Sequence, residues 1–222
     1  MTVGTPPENS GDPLGADPLH GSAAVREYFG ESFHRVESFV SLLADQGVLR
    51  GLIGPRELGR LWERHILNSA AVVPFLGSGT IVDVGSGAGL PGMIVAAMLP
   101  EQRVLLVEPM ERRTAWLYEA AEHCGIENVT VVRGRAEEVR DVVEADYITA
   151  RAVAPIDKLV KWCAPLLSDT GEMVLLKGRN APEEMERAKY VIRKFGLVGS
   201  VEAAPTLPDL EPTHVVRLHR TG

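Results

Sequence analysis

The chain has 222 residues, 45% of them hydrophobic, and a formal net charge of -7. That length and apolar content suffice for one full core with a modest appendage, while the acidic balance argues against a general nucleic-acid coat and leaves room for a local basic site. No apolar run approaches the ~18 residues of a membrane helix, two cysteines are too few for a disulfide framework, and no metal cluster is visible, so neither a membrane nor a metal is expected.

Residues 1–22 are rich in Gly, Pro and small polar residues. Lacking an apolar period, they cannot offset the entropy of ordering and are expected to form a disordered tail; they carry neither the basic region nor the apolar core of a signal peptide, so the expected compartment is the cytoplasm. From residue 23, Val25, Phe29, Phe33, Val36, Val40 and Leu43 recur at three- and four-residue steps, the stripe of one amphipathic helix that Gly47 can end. After Pro55, a second helical face holds Leu58, Leu61, Trp62, Ile66 and Ser69, and Pro74 helps to stop it. Residues 23–78 are read as an N-terminal helical cap and 79–222 as the main domain.

From Ile81 short apolar runs alternate with helical patterns, the sequence form of a parallel α/β sheet. The expected strands are IVDV from 81, RVLLVE at 103–108, NVTVVRG at 128–134, DYITARAV at 146–153 and EMVLLKG at 172–178, with helices at 111–125 and 181–194. LVGSVEA and THVVRLH follow with no helical crossover between them, so the last strand runs antiparallel. The expected fold is α/β and Rossmann-like: a mostly parallel seven-stranded sheet with an antiparallel last strand, plus the helical cap.

IVDVGSGAGLPG, at 81–92, reads as a strand, a tight turn and the start of a helix. Glycines allow positive φ and bring backbone N–H groups close to a nucleotide-like ligand. Two registers compete. Gly87, Gly89 and Gly92 fit the dinucleotide fingerprint of an NAD-dependent dehydrogenase, whereas Gly85, Gly87 and Gly89 after Asp83 look like the first motif of S-adenosylmethionine (SAM) methyltransferases. Glu108, at the end of the next strand, is placed to take ribose hydroxyls in either case, and the terminal strand pair favours the second register. An ordinary Gly-rich turn is the bland alternative.

Six separate stretches together resemble the bacterial 16S rRNA guanine-N7 methyltransferases of the RsmG (GidB) family: RHILNS from Arg64, VDVGSGAGLPG from Val82, RAEE from Arg135, ARAVA from Ala150, LLKG from Leu175 and HVVRL from His214. They run through essentially the whole chain after the tail. Asn68 stands where the pattern suggests Asp, as does Glu108. The resemblance implies a SAM-dependent methyltransferase acting, as a monomer, on 16S rRNA or a small-subunit ribosomal particle; a SAM enzyme with another substrate is the main alternative.

On this reading Asp83 meets the SAM ammonium or holds the glycine turn, Gly85, Gly87 and Gly89 approach the methionine part, and Leu90 begins the helix and packs on the ligand. Glu108 takes the ribose, and Ala136 and Glu137 flank the adenine. Arg151 binds the SAM carboxylate or the guanine edge and a phosphate, a structural salt bridge being its bland role. Arg64 and His65 stand beside the site. Lys177 and Arg179 add a basic rim toward RNA, with Lys158 and Lys161 as further candidates. Neither the amino-methyltransferase motif nor a cysteine nucleophile follows the fourth strand, and Cys163 is read as packing. Guanine N7 has a lone pair and no proton, so no general base is expected and Arg151 is the best positioning candidate.

Overall fold

A computed structural model of the chain describes residues 13–221. Seven strands, β1 (Ile81–Val84), β2 (Val104–Glu108), β3 (Val129–Arg133), β4 (Ala145–Arg151), β5 (Leu167–Lys177), β6 (Leu197–Ala204) and β7 (Thr213–Arg220), form one sheet in the order β3-β2-β1-β4-β5-β7-β6. The first five pair in parallel, and β7 inserts antiparallel between β5 and β6. The order reverses at β1, so the loops after β1 and β4 open a crevice at the carboxyl edge, where ligands of such sheets bind.

Side chains alternate along each strand, and this places the polar ends. Ile81, Leu106 and Val174 belong to one buried cluster, which also holds helices α1 (Ala23–Phe29), α2 (Phe33–Gln46), α4 (Gly92–Met98) and α5 (Glu111–His123). Asp83, Glu108 and Thr149 stand two residues beyond Ile81, Leu106 and Tyr147, so they share that face, as does Arg151 two residues further along β4. Val82, Leu105, Ile148 and Leu175 pack on the other face against α6 (Ile156–Cys163) and α7 (Ala181–Lys194). Lys177, two beyond Leu175, is on this second face.

The cap and the segment before it differ from their expected form in three ways. The six stripe residues 25–43 are all buried, but the helix breaks at Gly30–Ser32 because Gly30 turns to φ 49 and its N–H closes α1 on Arg26. The second helix is irregular: a tight turn over Pro55–Arg60, a wide π-type stretch over Trp62–Leu67 and one α-turn, α3 (Asn68–Ala70). Pro55 and Gly59 sit in the first of these and lack good helix propensity. Residues 13–22 are ordered turns rather than tail: Leu14 is buried, and Asp17 accepts from the Trp62 amide at 2.9 Å and the Leu19 amide at 3.0 Å. One carboxylate thus satisfies two amides, a local gain that composition does not reveal. The tail expectation for 1–12 lies outside the described residues. Both cysteines are buried and free, and burial pushes the Cys163 thiol up. No helix among the described residues is long and apolar enough to cross a membrane.

Candidate active site

The glycine turn settles which register the backbone uses. Gly85, Gly87 and Gly89 adopt φ of 74°, 56° and 100°, a region closed to most side chains. Gly92 does not share that conformation; it is glycine because a Cβ there would come within 2.3 Å of Leu106 and 2.7 Å of Asp83. The turn is therefore G-x-G-x-G, with Gly92 packing α4 onto the sheet. Leu90 lies in the turn rather than the helix, since α4 starts at Gly92, but it is buried against the same cleft.

Two acids pin this turn. Asp83 Oδ2 accepts from the Gly92 amide at 3.0 Å. Glu108 Oε2 accepts from Gly87 at 2.9 Å and Oε1 from Met110 at 3.0 Å, with Arg113 3.8 Å away. Each Glu108 oxygen keeps a second lone pair for a ligand hydroxyl. Asp83 is fully buried and its Oδ1 has no partner. Burial pushes its carboxyl up to about 7, against the pull of the Gly92 amide and the charge of Arg151.

Arg151 ends β4, and the cap grips it. Nη1 donates to the Arg64 carbonyl at 3.3 Å and approaches Asn68 Oδ1 at 3.5 Å, while Nη2 lies 3.1 Å from His65 Nδ1. His65 Nε2 in turn is 2.6 Å from Glu57. Burial draws the Arg151 guanidinium down to about 10, so it remains a cation at neutral pH, and its Nε has no partner. Asn68 uses both ends of its amide, giving Nδ2 to Thr213 at 2.8 Å, which a carboxylate in its place would not do. After Arg151 the chain turns through Ala152, the one non-glycine at positive φ (55°) among the described residues. Val153 follows and touches the glycine turn, since a Cβ on Gly85 would meet it at 2.8 Å.

These residues line three connected clefts. A 230 Å³ slot between Val84, Val107, Pro109, Gly134, Ala136 and Trp162 includes Glu137 at its rim. It shares Gly85, Pro109 and Val153 with a 390 Å³ cleft along Ser86, Gly87, Leu90, Glu108 and Arg151. That cleft meets a 630 Å³ cleft at Arg151, Ala152 and Val153, whose far wall is Glu57, Arg64, His65 and Asn68. The apolar slot fits a purine, the glycine amides and Glu108 fit a ribose, and the unpartnered Asp83 Oδ1 and Arg151 Nε offer one acceptor for an ammonium and one donor for a carboxylate. This donor set fits SAM.

The basic residues of the expected rim sit in different surroundings. Lys177, on the opposite face, is largely buried; its Nζ donates to the Ala154 carbonyl at 2.7 Å and pairs with Glu184 at 2.9 Å. It braces the loop after Arg151 while still lining the 630 Å³ cleft beside Arg64 and Arg151. Arg179 is exposed and paired with Glu211 beside Arg60 and Arg64. Lys158 and Lys161 project from α6, outside all these clefts. Glu57, Val153 and Trp162 were not legible as site residues. Glu57 reaches His65 only because the tight turn and the wide stretch bring them together, an irregularity with no periodic signal; Trp162 follows a helix period that reads as core. No group of side chains suited to hold a metal occurs among the described residues.

Residues 32–202 match the model of a family described as GidB, rRNA small subunit methyltransferase G. The chain is 45% identical over 215 residues to the ribosomal RNA small subunit methyltransferase G of Bifidobacterium longum, covering 90% of this chain and 97% of that one. It is 47% identical over 217 residues to the protein of the same name from Rhodococcus jostii, covering 94% and 95%. Among solved structures, it is similar in fold to Aeropyrum pernix fibrillarin in complex with natively bound S-adenosyl-L-methionine (TM-score 0.53, 18% identity, 68% of this chain and 76% of that one). With a family model spanning most of its length and relatives near half identical end to end, the chain belongs to the GidB family of rRNA small subunit methyltransferase G proteins.

Proposed function

We propose that the chain transfers the methyl group of SAM to N7 of a guanine in 16S rRNA, acting as a monomer in the cytoplasm on the RNA or on a small-subunit particle. Family membership supports the reaction and the RNA. The observation that carries the site assignment is Arg151 at the join of two clefts, with its Nε and the Oδ1 of Asp83 on the neighbouring strand buried and unpartnered.

SAM, when bound, supplies an electrophilic methyl group. Asp83 would hold its ammonium, Glu108 its ribose, Ala136 and Glu137 its adenine edge, with Gly85, Gly87, Gly89 and Leu90 along its length. Guanine N7 needs no base to remove a proton, so the chain's work is alignment and charge management. This agrees with the acceptor cleft, where the carboxylates of Glu57 and Glu184 are engaged with His65 and Lys177. Arg151 keeps its proton and so orients an acceptor or phosphate rather than exchanging protons. Arg60, Arg64 and Arg179 line the neighbouring opening, each paired with an acid; RNA phosphates would have to displace these acids, so binding to naked RNA is modest and salt-sensitive.

The test is transfer of labelled methyl from SAM to purified 16S rRNA and small-subunit particles, compared with metabolites and protein. Label in N7 of a guanine supports the proposal. Label only in a metabolite or protein overturns the substrate and leaves the donor site standing.

A further inference from the structure

We infer that Glu57 is a positioning residue for methyl transfer: it accepts the Nε2 hydrogen of His65, leaves Nδ1 as an acceptor for Arg151, and so fixes the guanidinium where the donor and acceptor clefts meet. The inference rests on the functional reading above.

The argument begins with what a guanidinium can do. It has five donors and no acceptor, so the 3.1 Å approach of Arg151 Nη2 to His65 Nδ1 is a hydrogen bond only if Nδ1 bears a lone pair. The ring of a neutral histidine then carries its one hydrogen on Nε2, and Nε2 is 2.6 Å from Glu57 Oε2. A carboxylate at that position selects this tautomer. Every charged group facing the imidazole acts in the same frame: Glu57 and Arg64 come from the cap, and Arg151 comes from the sheet. Two cations against one anion, together with burial, keep the ring neutral, as the contact with Arg151 requires.

The consequence is geometric. With Nη1 on the Arg64 carbonyl and Nη2 on His65, the outer edge of the guanidinium is occupied by the cap, and the buried Nε is left for a ligand. Without Glu57, nothing in this chain of contacts prevents the His65 hydrogen from moving to Nδ1. Two donors would then face each other, and Arg151 would lose one of its anchors. Glu57 is partly exposed and its other ionic contact is with Arg64 at 3.4 Å, so removing it opens no core cavity.

The test uses the full chain and two variants, Glu57→Ala and Glu57→Gln. Imidazole nitrogen NMR of the wild type should find His65 protonated at Nε2 and bare at Nδ1, whereas Glu57→Ala should give a mixture of tautomers. With SAM saturating, single-turnover methylation of small-subunit RNA should slow about tenfold in Glu57→Ala, about 1.4 kcal/mol of barrier. The SAM dissociation constant should stay within about twofold, a rate effect without a binding effect. Glu57→Gln, whose amide oxygen still accepts from Nε2, should recover most of the rate. In an Arg151→Lys background Glu57→Ala should add no further loss, because it acts through Arg151. A wild-type His65 protonated at Nδ1, an unchanged rate in Glu57→Ala, no recovery by Gln, or an undiminished effect in the Arg151→Lys background would each overturn the inference. If the wild type methylates no RNA, the functional reading fails instead, and the tautomer measurement alone decides whether Glu57 sets His65.

Discussion

Asp83 and Arg151 stand on neighbouring parallel strands, on the same face of the sheet, and each holds one buried polar atom, Oδ1 and Nε, with no hydrogen-bond partner. Such orphans each cost on the order of 1–3 kcal/mol, and charged ones cost more, which makes these two charged side chains candidates for ligand partners. An ammonium for one and a carboxylate for the other describe the two ends of an amino acid, which is the tail of SAM.

Asp83→Asn tests the first end. In the unfolded chain this carboxyl ionises near 3.8, whereas burial pushes it up to about 7 in the fold. Its contribution to stability is therefore present below the lower value and lost as pH rises through the upper one. A bound ammonium favours the carboxylate, so SAM affinity in the wild type should rise with pH through about 7. In Asp83→Asn affinity should fall about tenfold or more and lose that pH dependence, with no loss of melting temperature at alkaline pH. Calorimetric titration across this range checks it; an unchanged affinity would remove Asp83 from the ligand site.

Arg151→Ala tests the second. With SAM saturating, single-turnover methylation should fall about a hundredfold, the size of effect that loss of alignment produces. The SAM dissociation constant should rise less, by under about tenfold. A variant as fast as the wild type would show that Arg151 is only a salt-bridging residue.

The neutral state of His65 makes the cap sensitive to acid. Burial holds its imidazole below the usual 6.5, with Glu57 opposing and Arg151 reinforcing. Below the unfolded value the unfolded chain gains a proton that the fold resists, so stability should drop as pH falls beneath 6.5. Melting curves at descending pH should show a steeper loss for the wild type than for His65→Gln. Equal slopes would mean that His65 titrates freely.

Two glycine substitutions separate crowding from backbone strain. Gly92→Ala drives a methyl into Leu106 and Asp83 and should cost about 2–3 kcal/mol as overpacking. Gly125→Ala meets nothing within 4 Å and bears only its φ of 61°, so about 1–2 kcal/mol is expected. Denaturant unfolding of both proteins measures the difference.

Much of the fold was legible because alternating strands and helix stripes are periodic. The seven strands, the antiparallel last one and the buried stripe from Val25 to Leu43 all follow from spacing alone. The irregular parts were not: Leu14 and Asp17 are held by single contacts that leave no period, and the break at Gly30 interrupts a stripe that continues across it. The same limit applies to the site. Residues on the glycine turn and strand ends could be named from motif and position, and Arg64, His65 and Arg151 from a resemblance, and the structure brings these three together. Lys177 lines the acceptor cleft as its place at the strand end suggests, but its pairing with Glu184 and the Ala154 carbonyl depends on how α7 and the loop after β4 pack, which has no local signal. Glu57 and Trp162 become visible only once the irregular cap and the α6 face are folded against the crevice.

The most direct measurement of the central claim is a mass-spectrometric map of methyl groups on 16S rRNA from cells with and without this chain. One 7-methylguanosine should be present with the chain, absent without it, and restored by the wild type but not by Arg151→Ala. An identical set of modified guanines in both cells would contradict the account.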